Sequence, residues 1–177
     1  MVTFTSIFGR SRKAGWLVLA VVLSHPVLAR AQNEITLTVS FVGGGDTLDF
    51  GRLRNLEKDG TPAAESATRQ VRLNIQPVGG STKPYIVTQI LQQDPTNQTG
   101  GSAASTDSIL YRVQEETGSG TVRVPSQTPL AAGEEEIYRS NPSGGESQLL
   151  ITYDLGTSPD QEAGSYTGAI MYRVSTL

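Results

Sequence analysis

The chain has 177 residues, with 14 Lys plus Arg against 17 Asp plus Glu, one His, one Trp and no Cys. The lack of thiols excludes a disulfide framework and any Cys-ligated metal. The acidic balance, with its basic residues scattered, lacks the concentrated positive patch by which nucleic acid is held, so no nucleic-acid partner is expected.

Arg10, Arg12 and Lys13 precede an unbroken apolar run, residues 16–23, and Ala29-Arg30-Ala31 puts small residues at the two positions a signal peptidase reads. Residues 1–31 are therefore expected to be a signal peptide cleaved before Gln32, and residues 32–177 a single exported domain. The run is far shorter than the about 20 apolar residues of a membrane span. No membrane insertion is expected after cleavage, and the expected location is the periplasm, the cell surface or the medium. Cleavage removes His25, Trp16 and four basic residues, leaving ten Lys plus Arg against all 17 carboxylates, a net charge of −7. Without imidazole or thiol, Ser-His-Asp and Cys-His nucleophiles and His-ligated zinc are excluded from the mature chain. Carboxylates, Lys, Tyr and hydroxyls are the reactive groups left.

The mature chain opens with Ile35, Leu37, Val39 and Phe41 alternating with Thr36, Thr38 and Ser40, the period of a strand with one buried face. Gly43-Gly44-Gly45-Asp46 ends it, and Leu48-Asp49-Phe50-Gly51 supplies a short apolar pair. Residues 52–69 are charged and read as a loop, with a helical turn possible at 65–69. Val71, Leu73 and Ile75 mark a second full strand, and residues 85–91 a third. Residues 94–107 are Asn, Gln, Thr, Gly, Ser and Ala for the most part and read as a long exposed loop. Residues 109–113 and 121–124 read as a hairpin across a Gly-Ser-Gly connection. Residues 134–139 read as a short edge strand with Ile137 inward. Leu149, Ile151, Tyr153 and Leu155 alternate again, and Tyr166, Ile170, Tyr172 and Val174 close the chain at even spacing. Seven or eight strands separated by turn residues, with no amphipathic helix, predict an all-β fold, an immunoglobulin-like antiparallel β-sandwich.

Both ends of the domain resemble a known group. Leu48-Asp49-Phe50-Gly51 after an alternating first strand, with Ala163-Gly164-Ser165-Tyr166-Thr167-Gly168 opening the last, is similar to the exported bacterial β-sandwich families related to spore coat protein U and fimbrial subunits. That resemblance implies a sandwich at the cell surface or in the periplasm, often a subunit of a pilus or adhesive coat. In fimbrial relatives a neighbour's N-terminal segment completes the sheet beside the last strand. The chain departs from them in lacking a cysteine pair and in having Thr176 as its penultimate residue. Gln32, Asn33 and Glu34 are the residues between the expected cleavage site and the first strand.

The candidate constellations have bland readings that win. The glycine run at 43–45 lacks the helix and the Lys of a phosphate-cradling loop. Asp46, Asp49, Asp154, Asp160 and Glu162 lack calcium-loop spacing, so no metal or cofactor is expected. Glu134-Glu135-Glu136 reads as a solvated rim rather than the carboxylate pair of a glycosidase. Tyr153, Tyr166 and Tyr172 fall on apolar faces and are expected in the core; the sequence leaves Tyr85, Tyr111 and Tyr138 undecided. No catalytic residue is assigned, and an enzyme is not expected. The expected function is that of a non-enzymatic exported structural or adhesive protein whose partners are subunits of a surface assembly, self or related. Ile35, Leu37, Val39 and Phe41 on the first strand and Ile170, Tyr172 and Val174 on the last are the interface candidates. The alternative is a periplasmic or secreted module that holds a glycan or calcium on the loops at 43–69 and 94–107. N-terminal sequencing of the exported chain is expected to begin at Gln32; retention of residues 16–23 in the exported product would refute the leader assignment.

Overall fold

In a computed structural model of the chain, which describes residues 35–43, 48–53, 56–58, 61–63, 66–80, 82–98, 108–156 and 164–177, the first strand β1 (Ile35–Phe41) pairs along its whole length with β5 (Ser66–Pro77). Between them come β2 (Leu48–Leu53) and the small hairpin of β3 (Leu56–Lys58) and β4 (Thr61–Ala63). After a short 3-10 turn, Val78–Gly80, follow β6 (Tyr85–Asn97), β7 (Ile109–Thr117), β8 (Thr121–Val122) and β9 (Thr128–Pro129). Then come β10 (Glu134–Arg139), β11 (Ser147–Gly156) and β12 (Gly164–Thr176).

Two five-stranded sheets result, ordered β1-β5-β11-β7-β9 and β2-β12-β6-β10-β8, with antiparallel pairing throughout. Each sheet buries its inner face against the other, the arrangement a strand with one apolar face requires. Val71, Leu73 and Ile75 on β5, Leu149, Ile151 and Leu155 on β11, and Ile109 and Val113 on β7 line one side. Leu48 and Phe50 on β2, Val87 on β6 and Ile137 on β10 line the other. Tyr85, Tyr111, Tyr138, Tyr153 and Tyr166 are all completely buried, so the three tyrosines the alternation left undecided belong to the core too. The protein is thus the antiparallel β-sandwich that the alternating runs predict.

The Gly-Ser-Tyr-Thr-Gly run has a steric reason. β12 enters its sheet against the far end of β6, where a Cβ on Gly164 would overlap the Asn97 side chain. One on Gly168 would meet the Pro95 ring at 3.0 Å and the Gln93 carbonyl at 3.2 Å, tighter than ordinary van der Waals contact. Glycine lets the two backbones close, and Tyr166 between them drops into the core.

Four local expectations change. Residues 52–69 are not one loop: β2 runs on to Leu53, the β3–β4 hairpin follows, and β5 starts at Ser66, so residues 66–69 are extended rather than a helical turn. The cause is pairing, since Ala67 and Thr68 sit opposite Leu155 and Asp154 on β11. The loop expected at 94–107 begins later. β6 continues to Asn97 because Thr96 and Asn97 pair with Thr167 and Tyr166, and Pro95 and Asn97 are buried; residues 99–107 lie outside those described. Residues 109–113 and 121–124 do not form a hairpin, because β7 belongs to one sheet and β8 to the other. The Gly118 to Gly120 connection carries the chain across, leaving one main-chain bond of 2.8 Å from Val113 N–H to the Val124 carbonyl. Finally, β10 is flanked by β6 and by two residues of β8, with Ile137 inward as expected.

Ile151 sits at the centre of β11, fully buried and paired on both sides. Ile151→Ala is expected to lower unfolding stability by about 2–5 kcal/mol, read as a reduced urea midpoint at unchanged slope.

Candidate functional site

The seven residues singled out on the first and last strands come together along one side of the sandwich. β1 is the border of its sheet, and among the described strands it bonds to β5 alone. β12 is covered by β2 only over its opening turn, Gly168 being opposite Leu48. From Ala169 to Thr176 it pairs with β6, and no described strand lies along its other edge. β1 and β12 are neighbours across the gap between the sheets, so the two unpaired edges share one side.

The phase of the ladders fixes which main-chain groups point outward. Val42 N–H donates to the Gln70 carbonyl at 2.9 Å, and bonded pairs alternate along an antiparallel ladder. Thr36, Thr38 and Ser40 therefore bond to β5, while Ile35, Leu37, Val39 and Phe41 turn N–H and C=O to the open side. On β12, Leu177 N–H donates to the Pro84 carbonyl at 2.9 Å, which assigns Met171, Arg173 and Ser175 to β6. Ile170, Tyr172 and Val174 turn theirs outward. Every candidate on these two strands thus presents its backbone to the gap. Their side chains, Val39 excepted, are half-buried, and those six pack against the core.

Apolar surface gathers on the same side. Among the described residues the exposed large apolar side chains are Val39, Val42, Val78 and Leu177. Val39 and Val42 lie on and just past β1; Val78 follows Pro77, which faces Ile35; Leu177 follows the last residue of β12. The edges also lack the usual protection against sheet extension. β1 contains no charge, no proline and no break in register. The uncovered part of β12 carries one charge, Arg173, and Glu134 engages it at 3.0 Å. The opposite side is guarded by strands of two residues each, β8 and β9, the latter containing Pro129. Short strands and edge prolines are how sheets prevent edge-to-edge pairing. Among the described residues they stand on one side only.

The other candidates are engaged elsewhere. Asp154 accepts from Thr68 Oγ1 at 2.5 Å and from Gln127 Nε2 at 2.9 Å, and the Asp49 carbonyl accepts from Arg69. Asp46, Asp160 and Glu162 lie outside the described residues, among which no group of three or more carboxylates could hold a metal ion. The acidic run is not a plain solvated rim. Glu134 takes Arg173, Glu135 accepts from the buried Tyr111 hydroxyl at 2.5 Å, and Glu136 bridges Arg139 at 2.7 Å and Arg123 at 3.0 Å. Strand alternation sends Glu135 inward and its neighbours outward, a distribution that charge density alone conceals. Hydrogen bonds from Arg139 foremost, then Arg123, outweigh partial burial and hold the Glu136 carboxyl down at about 2.

No protein-family model matches the chain, and no curated relative matches its sequence. The geometry of the open side therefore carries the functional reading.

Because the folded Glu136 carboxyl titrates below its ordinary value of 4.5, its contribution is complete above that pH and lost as pH falls toward about 2. The urea midpoint should decline across that window, and Glu136→Gln should lower the midpoint at neutral pH while flattening the decline.

Proposed function

We propose that the protein is a non-enzymatic exported subunit of a structural or adhesive surface assembly, of pilus or coat type, and that it joins its partners by strand addition along the β1 and β12 side. One observation carries this reading: two bare strand edges share a side that also bears the exposed large apolar side chains among the described residues. An added strand gains main-chain hydrogen bonds from the outward N–H and C=O groups, and its alternate side chains cover Ile170, Tyr172 and Val174 or Leu37, Val39 and Phe41. The resemblance of the Leu48 to Gly51 and Ala163 to Gly168 runs to spore coat protein U and fimbrial subunits supports the same reading. The same resemblance supports a location in the periplasm, at the cell surface or outside the cell. The partners are protein subunits, copies of this chain or relatives of it.

Val39 is 42 % exposed, so charging it leaves the core intact. Sedimentation of the exported chain should show association that rises with concentration, and Val39→Lys should weaken it about tenfold, the loss of one modest interface anchor. A wild-type chain that stays monomeric at every concentration and captures no extended apolar peptide would overturn the proposal.

A further inference from the structure

A row of polar side chains crosses the core from the open edge to the far rim. In one sheet, Tyr172 on β12 and Glu135 on β10 both sit opposite Gln89 on β6. In the other, Tyr153 on β11 sits opposite Tyr111 on β7, their rings stacked with centroids 5.8 Å apart. The rows interlock: Tyr153 Oη donates to Gln89 Oε1 at 2.7 Å and lies 2.8 Å from Tyr172 Oη, and Tyr111 reaches Glu135. A phenol has one proton to donate. Tyr153 gives its proton to Gln89, so Tyr172 must donate to Tyr153, and the chain of bonds has a fixed sense. Burial raises the pKa of Tyr153 and Tyr172 well above the ordinary phenol value, so both keep the protons this sense requires. Gln89 Nε2 is buried with no hydrogen-bond partner, so the bond that Oε1 accepts from Tyr153 is what ties this amide into the row.

This row stands where register is weakest. β12 passes two irregularities, between Thr167 and Ala169 and between Ala169 and Ile170, so the doubly paired opening of the strand does not dictate the register of the rest. Beyond them β6 alone holds it. A slip of one residue would turn Arg173 inward. A slip of two keeps every face but changes which residues fill the inward places: Ile170 or Val174 would take the place of Tyr172 and leave Tyr153 without its donor, and Gly168 or Thr176 would enter an apolar place at one end of the row. We infer that Tyr172, Tyr153 and Gln89 form a register lock that positions the uncovered half of β12 and so selects which residues of an added strand face inward. Tyr172 is on this view a positioning residue for the partner edge; the inference rests on the strand-addition reading for that consequence, while the lock itself is testable without a partner.

The chain has no cysteine, so engineered pairs report register directly. Ser175 faces Ile86 in the observed register and Thr88 after the two-residue slip that brings Val174 to the place of Tyr172. Ser175→Cys with Ile86→Cys should cross-link in the otherwise wild-type chain, and Ser175→Cys with Thr88→Cys should not. Adding Tyr172→Phe, or Tyr153→Phe should the first variant not fold, should raise slipped over native cross-linking about tenfold and weaken capture of a peptide copying residues 35–41 by a similar factor. Tyr138→Phe is the control: it removes the hydroxyl of a fully buried tyrosine, bonded to Glu115 and Ser147 away from β12, and should change neither readout. Unchanged cross-linking in the Tyr172 and Tyr153 variants would overturn the lock. Failure of the wild-type chain to capture the peptide, with the cross-link pattern shifting as expected, would overturn the strand-addition reading and leave the lock standing.

Discussion

The ladder between β6 and β12 is the interaction on which the rest of the molecule depends. Each strand is thirteen residues long, and their pairing runs from Tyr85 opposite Thr176 to Asn97 opposite Tyr166. It joins the last residues of the chain to its middle, recruits β2 at one end and hands β10 its neighbour on the other side. Because β6 is buried between these strands, its polar residues have to be accommodated inside, and Thr88, Gln89 and Asn97 are all nearly inaccessible. Among the described strands, the same ladder leaves half of β12 with one neighbour where a central strand would have two.

Tyrosine makes the interior unlike a purely aliphatic core. Five fully buried rings contribute large apolar area, and each brings a hydroxyl that must be bonded or else carry a desolvation cost of about 1–3 kcal/mol. For four of the five, two clusters discharge that requirement. At one end Tyr85 and Tyr138 converge on Ser147 Oγ at 2.9 and 2.7 Å, and Tyr138 also donates to Glu115 at 2.6 Å. Toward the middle lies the row from Tyr172 to Glu135. Hydrogen bonds between the sheets are directional in a way that aliphatic packing is not, so these clusters fix how one sheet sits on the other. With no disulfide possible, they are the specific cross-links between the layers.

The fold was legible where one face of a strand is apolar and the other polar. Residues 35–41, 71–75, 149–155 and 166–174 announce themselves by a period of two, and each became a strand. What a local pattern does not contain is the identity of the neighbour. Residues 94–97 and 66–69 are polar, and they are extended because β12 and β11 offer main-chain partners beside them. Residues 109–113 and 121–124 look like a hairpin because the connection is short, yet a chain can also use such a turn to change sheets. The site was readable to the same degree. Alternation picked out Ile35 to Phe41 and Ile170 to Val174 as apolar rows, but whether a row lies on a covered strand or a bare edge is settled by pairing that sequence does not show locally. Glu135 was missed for a related reason: three identical residues in a run hide that the middle one points the other way. Its position two residues before the inward Ile137 was the available signal.

The uneven protection of the two sides bears on symmetry. Two copies meeting through the same edge, β12 to β12 or β1 to β1, form an isologous contact that is used up once made, and the product is a closed dimer. A contact between unlike edges, β12 of one copy and β1 of the next, closes a dimer when the second such pair forms between the same two copies, and when it is made once it leaves a free edge of each kind, from which growth continues with a fixed polarity. The β1 and β12 edges differ in sequence and length, seven residues against eight, and belong to different sheets. A joint between them made twice about one two-fold axis is isologous and closes a dimer; made once it is heterologous, and only that single joint, repeated, has a direction and no built-in end.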